Sequence, residues 1–200
     1  KIKDLGPKLR KHWQRFRQCF KSKTRDTSAH AMAYLQGQMT MESDRNFAGI
    51  ANSMENSDGQ ALQHFMSNSP WSGQGVFEQI RDEIKEKSEL HPGSVLILDE
   101  YADEKAGSGS AGAYRQYNGR RGKVDMCQVA VALGYANWKL EPWPLWAMVD
   151  AEIFLPEAWF GVEYAELRKK VSVPKERTSF ETKPELGLKM IRRAKVAGLP

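Results

Sequence analysis

The sequence predicts a mixed α/β (α+β) fold in which a helical block precedes a strand-rich block. In the first ninety residues, apolar side chains recur at three- and four-residue steps, the period of an amphipathic helix. Short apolar runs typical of strands begin after His91-Pro92-Gly93. We therefore expect a helical region over residues 1–90 and an α/β domain over residues 91–200. A chain of 200 residues, 40% hydrophobic and 28% charged, is typical of a globular protein with one or two domains.

Five helices are expected in the first block. The first carries one apolar stripe among basic residues, made of Leu5, Leu9, Trp13, Phe16 and Phe20. Asp26-Thr27-Ser28 is an N-cap cluster for the second. Two short helices are expected at Arg45–Met54 and Gln60–Ser67, separated by a turn over Glu55–Gly59, and Ser69-Pro70-Trp71 opens the fifth. Two short helices joined by a turn are compatible with a helix-turn-helix DNA reader and with the commoner plain bundle.

The second block predicts three strands followed by helices. The first strand, Ser94 to Glu100, is short and apolar, is expected to be buried, and ends in the acids Asp99 and Glu100. A stretch of small residues from Ala106 to Ala113 predicts a loop. The remaining elements are two strands and two helices, at Val124–Tyr135, Leu145–Phe154, Glu157–Lys170 and Pro184–Ala197.

Charge is unevenly placed along the chain, whose net charge is +5. Residues 1–25 hold ten Lys or Arg and one acid, whereas residues 41–90 hold nine acids and four bases. Basic segments indicate a polyanionic partner, because neutralising phosphates with Lys and Arg dominates nucleic-acid affinity. The alternative is a solvated helix face beside a basic tail. In the first segment, Lys8, Lys11 and Arg15 are the candidate DNA-binding residues.

Several classes of protein are disfavoured. The apolar runs are too short to span a bilayer, and no apolar stretch follows the basic start as it would in a signal peptide. Two cysteines make no disulfide framework and fit a reducing cytoplasm. The sequence contains no phosphate-binding glycine loop and no nucleophile elbow. We expect a cytoplasmic protein with no membrane partner and no small-molecule substrate.

Asp99 is the candidate catalytic residue. Open α/β sheets bind ligands at the carboxyl ends of their strands, and an acid buried there requires a metal, a base or a hydrogen-bond donor. The alternative is a strand-end or capping acid. Asp150 and Glu152 are two residues apart on one strand and so share a face, which makes them either an exposed pair or a further metal ligand.

The stretch Ala113–Lys123 interleaves four bases with two tyrosines and two glycines. That mixture can hold a phosphate backbone and stack on bases. With the preceding loop it supplies the remaining candidate DNA-binding residues: Lys105, Arg115, Tyr117, Arg120, Arg121 and Lys123. Asn118-Gly119 is a strong tight-turn signal, so the alternative is simply a charged hairpin tip.

Together these segments resemble insertion-sequence transposases of the DDE superfamily, over about residues 25 to 200. Four parts of the family's signature occur in order along the chain. They are Tyr34-Leu35-Gln36-Gly37 with Ser69-Pro70-Trp71; Val95–Asp99 with Lys105–Gly107; Arg115–Gly119 with Gly122-Lys123 and Cys127–Val129; and Val149-Asp150 through Phe154-Leu155-Pro156 and Trp159 to Phe180–Leu186.

The resemblance implies a ribonuclease-H-like domain, here its first half, in which three carboxylates hold two divalent metals for phosphodiester cleavage and strand transfer. It implies Mg²⁺ or Mn²⁺ as the cofactor and gives Asp99 the place of the first metal-binding carboxylate. The second Asp and the Glu are not in these 200 residues, so we expect unstable metal binding and no cleavage by this chain alone. Glu100-Tyr101 stands where the family has Asp-Thr.

The same resemblance predicts the partners. It implies transposon-end DNA as the substrate and a bacterial or archaeal mobile element, near the nucleoid, as the source. An unpaired sheet edge would favour homo-oligomers or partner association. The alternative function is a truncated or domesticated, non-catalytic DNA-binding or regulatory protein derived from a transposase.

Overall fold

The computed structural model describes residues 5–54, 57–171, 173–174, 177 and 179–200. The chain forms two compact units, Lys1–Gln79 and Ile80–Pro200. In the described residues the first unit is helical, and the second is built around a four-stranded antiparallel sheet. The predicted α+β class is therefore confirmed. No helix in the described ranges is both long and apolar enough to cross a membrane.

The helices of the first unit follow the predicted order. They are α1 (Leu5–Phe16), α2 (Ser28–Thr40), α3 (Phe47–Ser53), α4 (Gly59–Asn68) and α5 (Gly73–Lys85), within which the boundary between the units falls. Side-chain caps fix two of the starts: Asn46 accepts the N–H of Gly49 at 2.8 Å, and Asp58 accepts that of Gln60 at 3.0 Å. Residues 55 and 56 of the predicted turn lie outside the described residues.

Close helix packing in the first unit depends on Gly37. A Cβ at this position would lie 2.6 Å from the Cγ1 atom of Ile50, which is fully buried in α3. Leu62 and Phe65 of α4 are buried in the same unit, and Trp71 donates its indole N–H to the Phe65 carbonyl at 3.2 Å. Gly37 and Trp71, two residues of the motif segments, therefore have structural roles here.

The sheet of the second unit has β3 at its centre. Its strands are β1 (Val95–Glu104), β2 (Tyr114–Asn118), β3 (Lys123–Asn137) and β4 (Leu145–Ile153). β1 pairs along one edge of β3, while β2 and β4 pair in succession along the other edge. Three strands were expected from the sequence; β2 is the additional strand. The outer edge of β1 has no strand partner among the described residues.

One face of the sheet is covered by α7 (Lys183–Val196), which follows the short helix α6 (Ala165–Lys170). A reciprocal capping box between Thr182 and Glu185 starts α7. Leu186 and Met190 of α7 are fully buried in one cluster with Tyr135 of β3. The predicted helix over residues 157–170 forms as two 3₁₀ turns followed by α6.

Candidate functional site

Asp99 lies near the middle of β1, and its side chain is exposed. The predicted short buried strand that ends in two acids is therefore wrong, because β1 continues to Glu104. The reason is the length of β3, whose fifteen residues pair with all ten of β1. One Asp99 oxygen accepts the backbone N–H of Glu100 at 2.8 Å. Directly across the ladder is the small Ala132, so the carboxylate remains accessible.

The other acids near the end of β1 are engaged by cations. Glu100 forms an ion pair with Lys183 of α7. Lys105 donates to Asp103 at 2.7 Å, between two side chains that are both partly exposed. Glu100 is thus held by Lys183 and Asp103 by Lys105. Neither acid is free to join Asp99 around an ion.

Asp150 is fully buried at the centre of an arginine network, so the exposed strand face expected there is wrong. The Nη1 atom of Arg81 lies 3.4 Å from its carboxylate and also donates to the Val149 carbonyl at 2.7 Å. Arg193 of α7 bonds Asp150 through Nε at 2.7 Å and Glu152 through Nη2 at 2.6 Å. Two guanidinium groups thus compensate a charge that burial alone would disfavour.

The pKa of Arg193 reflects that balance. Burial disfavours its charged form, but the hydrogen bonds and charges of Asp150 and Glu152 outweigh burial and raise the pKa of Arg193 above its ordinary value. The guanidinium therefore stays charged and holds α7 to β4. This pair of acids serves the packing of the sheet.

The described residues do not form a two-metal centre. No group of three or more His, Cys, Asp or Glu among them lies close enough together to hold a metal ion. Asp99 offers one exposed carboxylate, whereas a two-metal site for phosphodiester chemistry requires several oxygen ligands.

The charged hairpin tip, the alternative left open for this stretch, is present. β2 and β3 are joined by residues 119–122, and the N–H groups of Arg121 and Gly122 both donate to the Asn118 carbonyl, at 3.0 and 2.9 Å. Gly122 has a φ of +66°, which a glycine adopts without strain. Arg115 and Tyr117 are both exposed on β2, two residues apart, and so project from one face.

Local acids neutralise part of the hairpin's positive charge. Arg121 forms an ion pair with Glu104, and Lys123 lies 3.3 Å from Asp125. The N–H of Met126 and then the ammonium group of Lys123 lower the pKa of Asp125.

Two of the hairpin's arginines remain uncompensated. Arg115 and Arg120 make no ion pair with any residue that the structure describes. The Nη1 atom of Arg120 lies 3.5 Å from the Tyr101 hydroxyl, at the limit of a hydrogen bond. Arg115 and Arg120 are thus the guanidinium groups of the hairpin that are available to an anionic ligand.

Strand register places Asp99 on the same sheet face as Tyr101, Arg115 and Tyr117. Asp99 and Tyr101 are opposite Ala132 and Ala130, while Arg115 and Tyr117 are opposite Met126 and Val124. Since all four partners are even-numbered residues of β3, their side chains point the same way. We call Asp99, Tyr101, Arg115 and Tyr117 the open face; α7 packs against the other side of the sheet. Both tyrosines are more than half exposed, at 56% and 55%.

The remaining candidates lie in the first unit. Lys8, Lys11 and Arg15 are all exposed on α1. Their spacing of three and four residues places them along one side of the helix. They therefore form a second basic surface, separate in sequence from the hairpin.

A cavity of about 320 Å³ lies between the hairpin tip and the end of β1. Its lining combines one small apolar residue with two acids, an amide and two guanidinium groups: Ala102, Asp103, Glu104, Asn118, Arg120 and Arg121. Asn118 is only 1% exposed, and neither of its amide atoms forms a hydrogen bond in the described structure.

Sequence reasoning missed several of these residues. Asn118 was recognised only as part of a turn, and Tyr101 only as a departure from the family pattern. Arg81 had a detectable signal, because it lies on the apolar side of α5 between Phe77 and Ile84, where a charged residue needs a partner. Arg193 had no comparable signal in the sequence.

An α+β fold with an exposed acid and an uncompensated arginine on one sheet face is consistent with a nuclease. The comparison with known families agrees: the model of a family described as DDE superfamily endonuclease matches residues 15–200. The chain belongs to this family and is transposase-like. Endonucleases of the superfamily act on DNA and generally depend on divalent metals. Compared with curated proteins and with solved structures, the chain shows no match.

Proposed function

We propose that this chain binds transposon-end DNA through two basic surfaces and contributes Asp99 to the metal-dependent strand cleavage and transfer of a transposase. The observation that carries the proposal is the open face, on which Asp99, Arg115 and Tyr117 are all exposed. Membership of the endonuclease family supports DNA as the substrate.

Each group of the open face has a chemical role in this proposal. Arg115 contacts a backbone phosphate, and the exposed rings of Tyr101 and Tyr117 stack on bases or pack against sugars. Asp99 is exposed further along the same face, where a second phosphate of the DNA can approach it. Asp99 would hold a divalent ion that supplies electrophilic activation of a phosphate, and oxygen ligands beyond this one carboxylate would have to come from the DNA. Asp99 and DNA together are therefore expected to retain an ion that Asp99 alone does not.

The helical unit supplies the second contact in this proposal. Lys8, Lys11 and Arg15 neutralise phosphates without reading sequence, which fixes the chain on the duplex. We extend the assignment to domains: residues 1–90 are the DNA-binding region and residues 91–200 the first half of a ribonuclease-H-like catalytic domain. The charge of α1 supports the first assignment, and the antiparallel order of β1, β3 and β4 supports the second.

A polypeptide of these 200 residues is expected to bind DNA without cleaving it. The physical reason is that Asp99 is one carboxylate, whereas the acids Glu100, Asp103 and Asp150 are held by cations of the protein. Incubation with nicked and intact duplex DNA in Mg²⁺ or Mn²⁺ tests this. Metal-dependent cleavage that disappears in Asp99→Asn would contradict it.

Metal binding at Asp99 has its own test. Paramagnetic Mn²⁺ is titrated into the protein–DNA complex, and broadening of the backbone amide signals beside residue 99 is followed by NMR. We expect broadening only when DNA is present, and its loss in Asp99→Asn. Asp103→Asn is the matched control, since it removes an acid four residues along the same strand and should leave the broadening intact. Broadening that persists in Asp99→Asn refutes the assignment.

DNA binding through the hairpin is tested by removing its two uncompensated arginines. In anisotropy titrations with labelled duplex, Arg115→Ala with Arg120→Ala should weaken binding about tenfold or more at low salt. Lys169→Ala with Lys170→Ala is the control, because it removes two exposed charges from α6 instead. Equal losses in both double variants would show that only net charge matters.

A second candidate function is a non-catalytic DNA-binding or regulatory protein. It is favoured by the residues after Asp99: Glu100 is tied to Lys183, and the Tyr101 hydroxyl lies beside Arg120. Under this alternative the Mn²⁺ experiment gives no broadening at Asp99, while DNA binding through the two basic surfaces persists.

A further inference from the structure

Asn118 is a buried amide without internal partners. It ends β2, is 1% exposed, and neither its Oδ1 nor its Nδ2 atom forms a hydrogen bond with a described residue. Asn137 in the same sheet shows the usual arrangement: it is fully buried, and its Nδ2 donates to the carbonyls of Leu90 and Pro92 at 2.7 and 3.1 Å. The isolated amide of Asn118 is therefore not a general property of this sheet.

A purely structural role does not account for Asn118. Burying an amide without hydrogen bonds costs free energy, and an apolar residue of similar size would avoid that cost. The turn itself uses only the backbone carbonyl of Asn118, which any residue supplies. What the amide adds is a donor and an acceptor side by side, on a residue that lines the cavity.

The size of the cavity restricts the ligand. At about 320 Å³ it lies at the lower end of the range for small-molecule sites, so it admits one planar group and no duplex. Its walls are the hairpin tip and the residues 102–104 of β1. A base could enter only when it is unpaired or turned out of its stack.

The polar groups of the lining restrict it further. Asn offers the acceptor and donor that match the amino group and ring nitrogen N7 of adenine. The two carboxylates of the lining disfavour carbonyl oxygens such as those of thymine. Arg120, which has no ion pair in the described structure, is placed for the attached phosphate.

We propose that the cavity under the β2–β3 hairpin tip binds one unpaired adenine of the DNA, with the Asn118 amide on its N6/N7 edge and Arg120 on its phosphate. This inference rests on the proposed function, since it assumes that DNA is the ligand of the hairpin. It adds a base-reading site to surfaces that otherwise contact only phosphates and stacked rings. It also makes DNA binding by the hairpin depend on the base sequence.

The first test compares single-stranded oligothymidines that carry one central adenine, cytosine or abasic site. In anisotropy titrations we expect the adenine oligonucleotide to bind about tenfold tighter than the abasic one, the discrimination of one good bidentate contact. Asn118→Leu should abolish that difference while keeping the salt-dependent affinity for the abasic strand. Its melting temperature should equal or exceed that of the wild type, which shows that the loss is not unfolding.

Outcomes for the inference and for the proposed function differ. Equal binding of adenine and abasic strands by the wild type, or an adenine preference that survives Asn118→Leu, overturns the inference and leaves general DNA binding standing. If no oligonucleotide binds at low salt, the proposed function fails. The cavity is then tested directly with deoxyadenosine monophosphate by NMR: shifts of the Asn118 side-chain NH₂ signals with this nucleotide and not with thymidine monophosphate support the site, and their absence overturns it.

Discussion

Arg193 and Asp150 join α7 to β4 through a hydrogen bond of 2.7 Å between Nε and a carboxylate that has no exposure to solvent. The same guanidinium reaches Glu152 at 2.6 Å, so a single side chain compensates two acids. Burial of Asp150 is tolerable only while its cationic partners remain.

Arg193→Met is therefore expected to destabilise the second unit by about 3 kcal/mol, because it leaves a buried carboxylate with fewer partners. Urea denaturation followed by tryptophan fluorescence measures the change. Lys189→Met is the control: it lies one turn earlier on α7, where its ion pair with Glu181 is at the surface, and should change stability by less than about 1 kcal/mol. Similar losses in the two variants would contradict the importance of burial.

Asn137→Leu should lower stability by roughly 1–3 kcal/mol, because the Asn137 amide is fully buried and its hydrogen bonds to the carbonyls of Leu90 and Pro92 and from the N–H of Lys139 are lost. Thermal and urea unfolding measure it. The matched variant is Asn118→Leu, which removes an amide without partners and is expected to be neutral or stabilising. The prediction fails if Asn137→Leu is no more destabilising than Asn118→Leu.

Gly37→Ala tests the contact between α2 and α3. The new Cβ would lie 2.6 Å from a carbon of the buried Ile50, so either the Ile50 side chain or the helices must shift. We expect a loss of about 1–3 kcal/mol from overpacking, although alanine is the better helix former. Gly6→Ala in α1 is the control, because its nearest neighbours are the end atoms of Arg10 at 3.9 Å. A stability gain in Gly37→Ala would show that the packing adjusts freely.

The pKa of Asp26 is lowered to about 2 by hydrogen bonds from the hydroxyl and N–H groups of Ser28, with a further contribution from Lys21. A carboxylate with a lowered folded-state pKa contributes stability above its unfolded-state value, near 3.8, and that contribution is lost as the pH falls towards 2. NMR titration of the side-chain carboxyl carbon should give a midpoint near 2, shifted upward in Ser28→Ala. An unchanged midpoint in the variant would refute the stated cause.

The salt dependence of DNA binding tests the basic surface of α1. Each phosphate contact contributes about 0.9 to the slope of log affinity against log salt. Replacing Lys8, Lys11 and Arg15 by Ala should therefore reduce the slope by about 3 if all three contact phosphates. The slope is measured by anisotropy over a range of NaCl concentrations. A slope equal to that of the wild type would exclude this surface from the interface.

Local patterns in the sequence predicted most of the elements. The three- and four-residue periodicity located the helices, the apolar runs located β1, β3 and β4, and Asn118-Gly119 marked the turn of the hairpin. The motif segments predicted the family that the comparison shows. These features were predictable because each depends on neighbours within a few residues, or on short sequence motifs that can be recognised without knowledge of the fold.

Other features depend on the tertiary structure. Asp99 and Asp150 both follow apolar residues in strands, yet Asp99 is exposed and Asp150 fully buried. The difference comes from α7, which covers one face of the sheet, and from Arg81, sixty-nine residues before Asp150. Strand length, too, was set by pairing: β1 continues past Asp99 and Glu100 because all of its residues pair with the long strand β3.

By itself, the sequence determined the α+β class, the order of the elements, the family and the basic segments, because periodicity, turn chemistry and motif spacing are local. Only the tertiary structure decided that Asp99 shares a face with Arg115, and that Asn118 is buried without partners beside a cavity. Both features depend on the register between strands and on the position of the hairpin tip near the end of β1. These long-range relationships bring together residues that are far apart in the sequence.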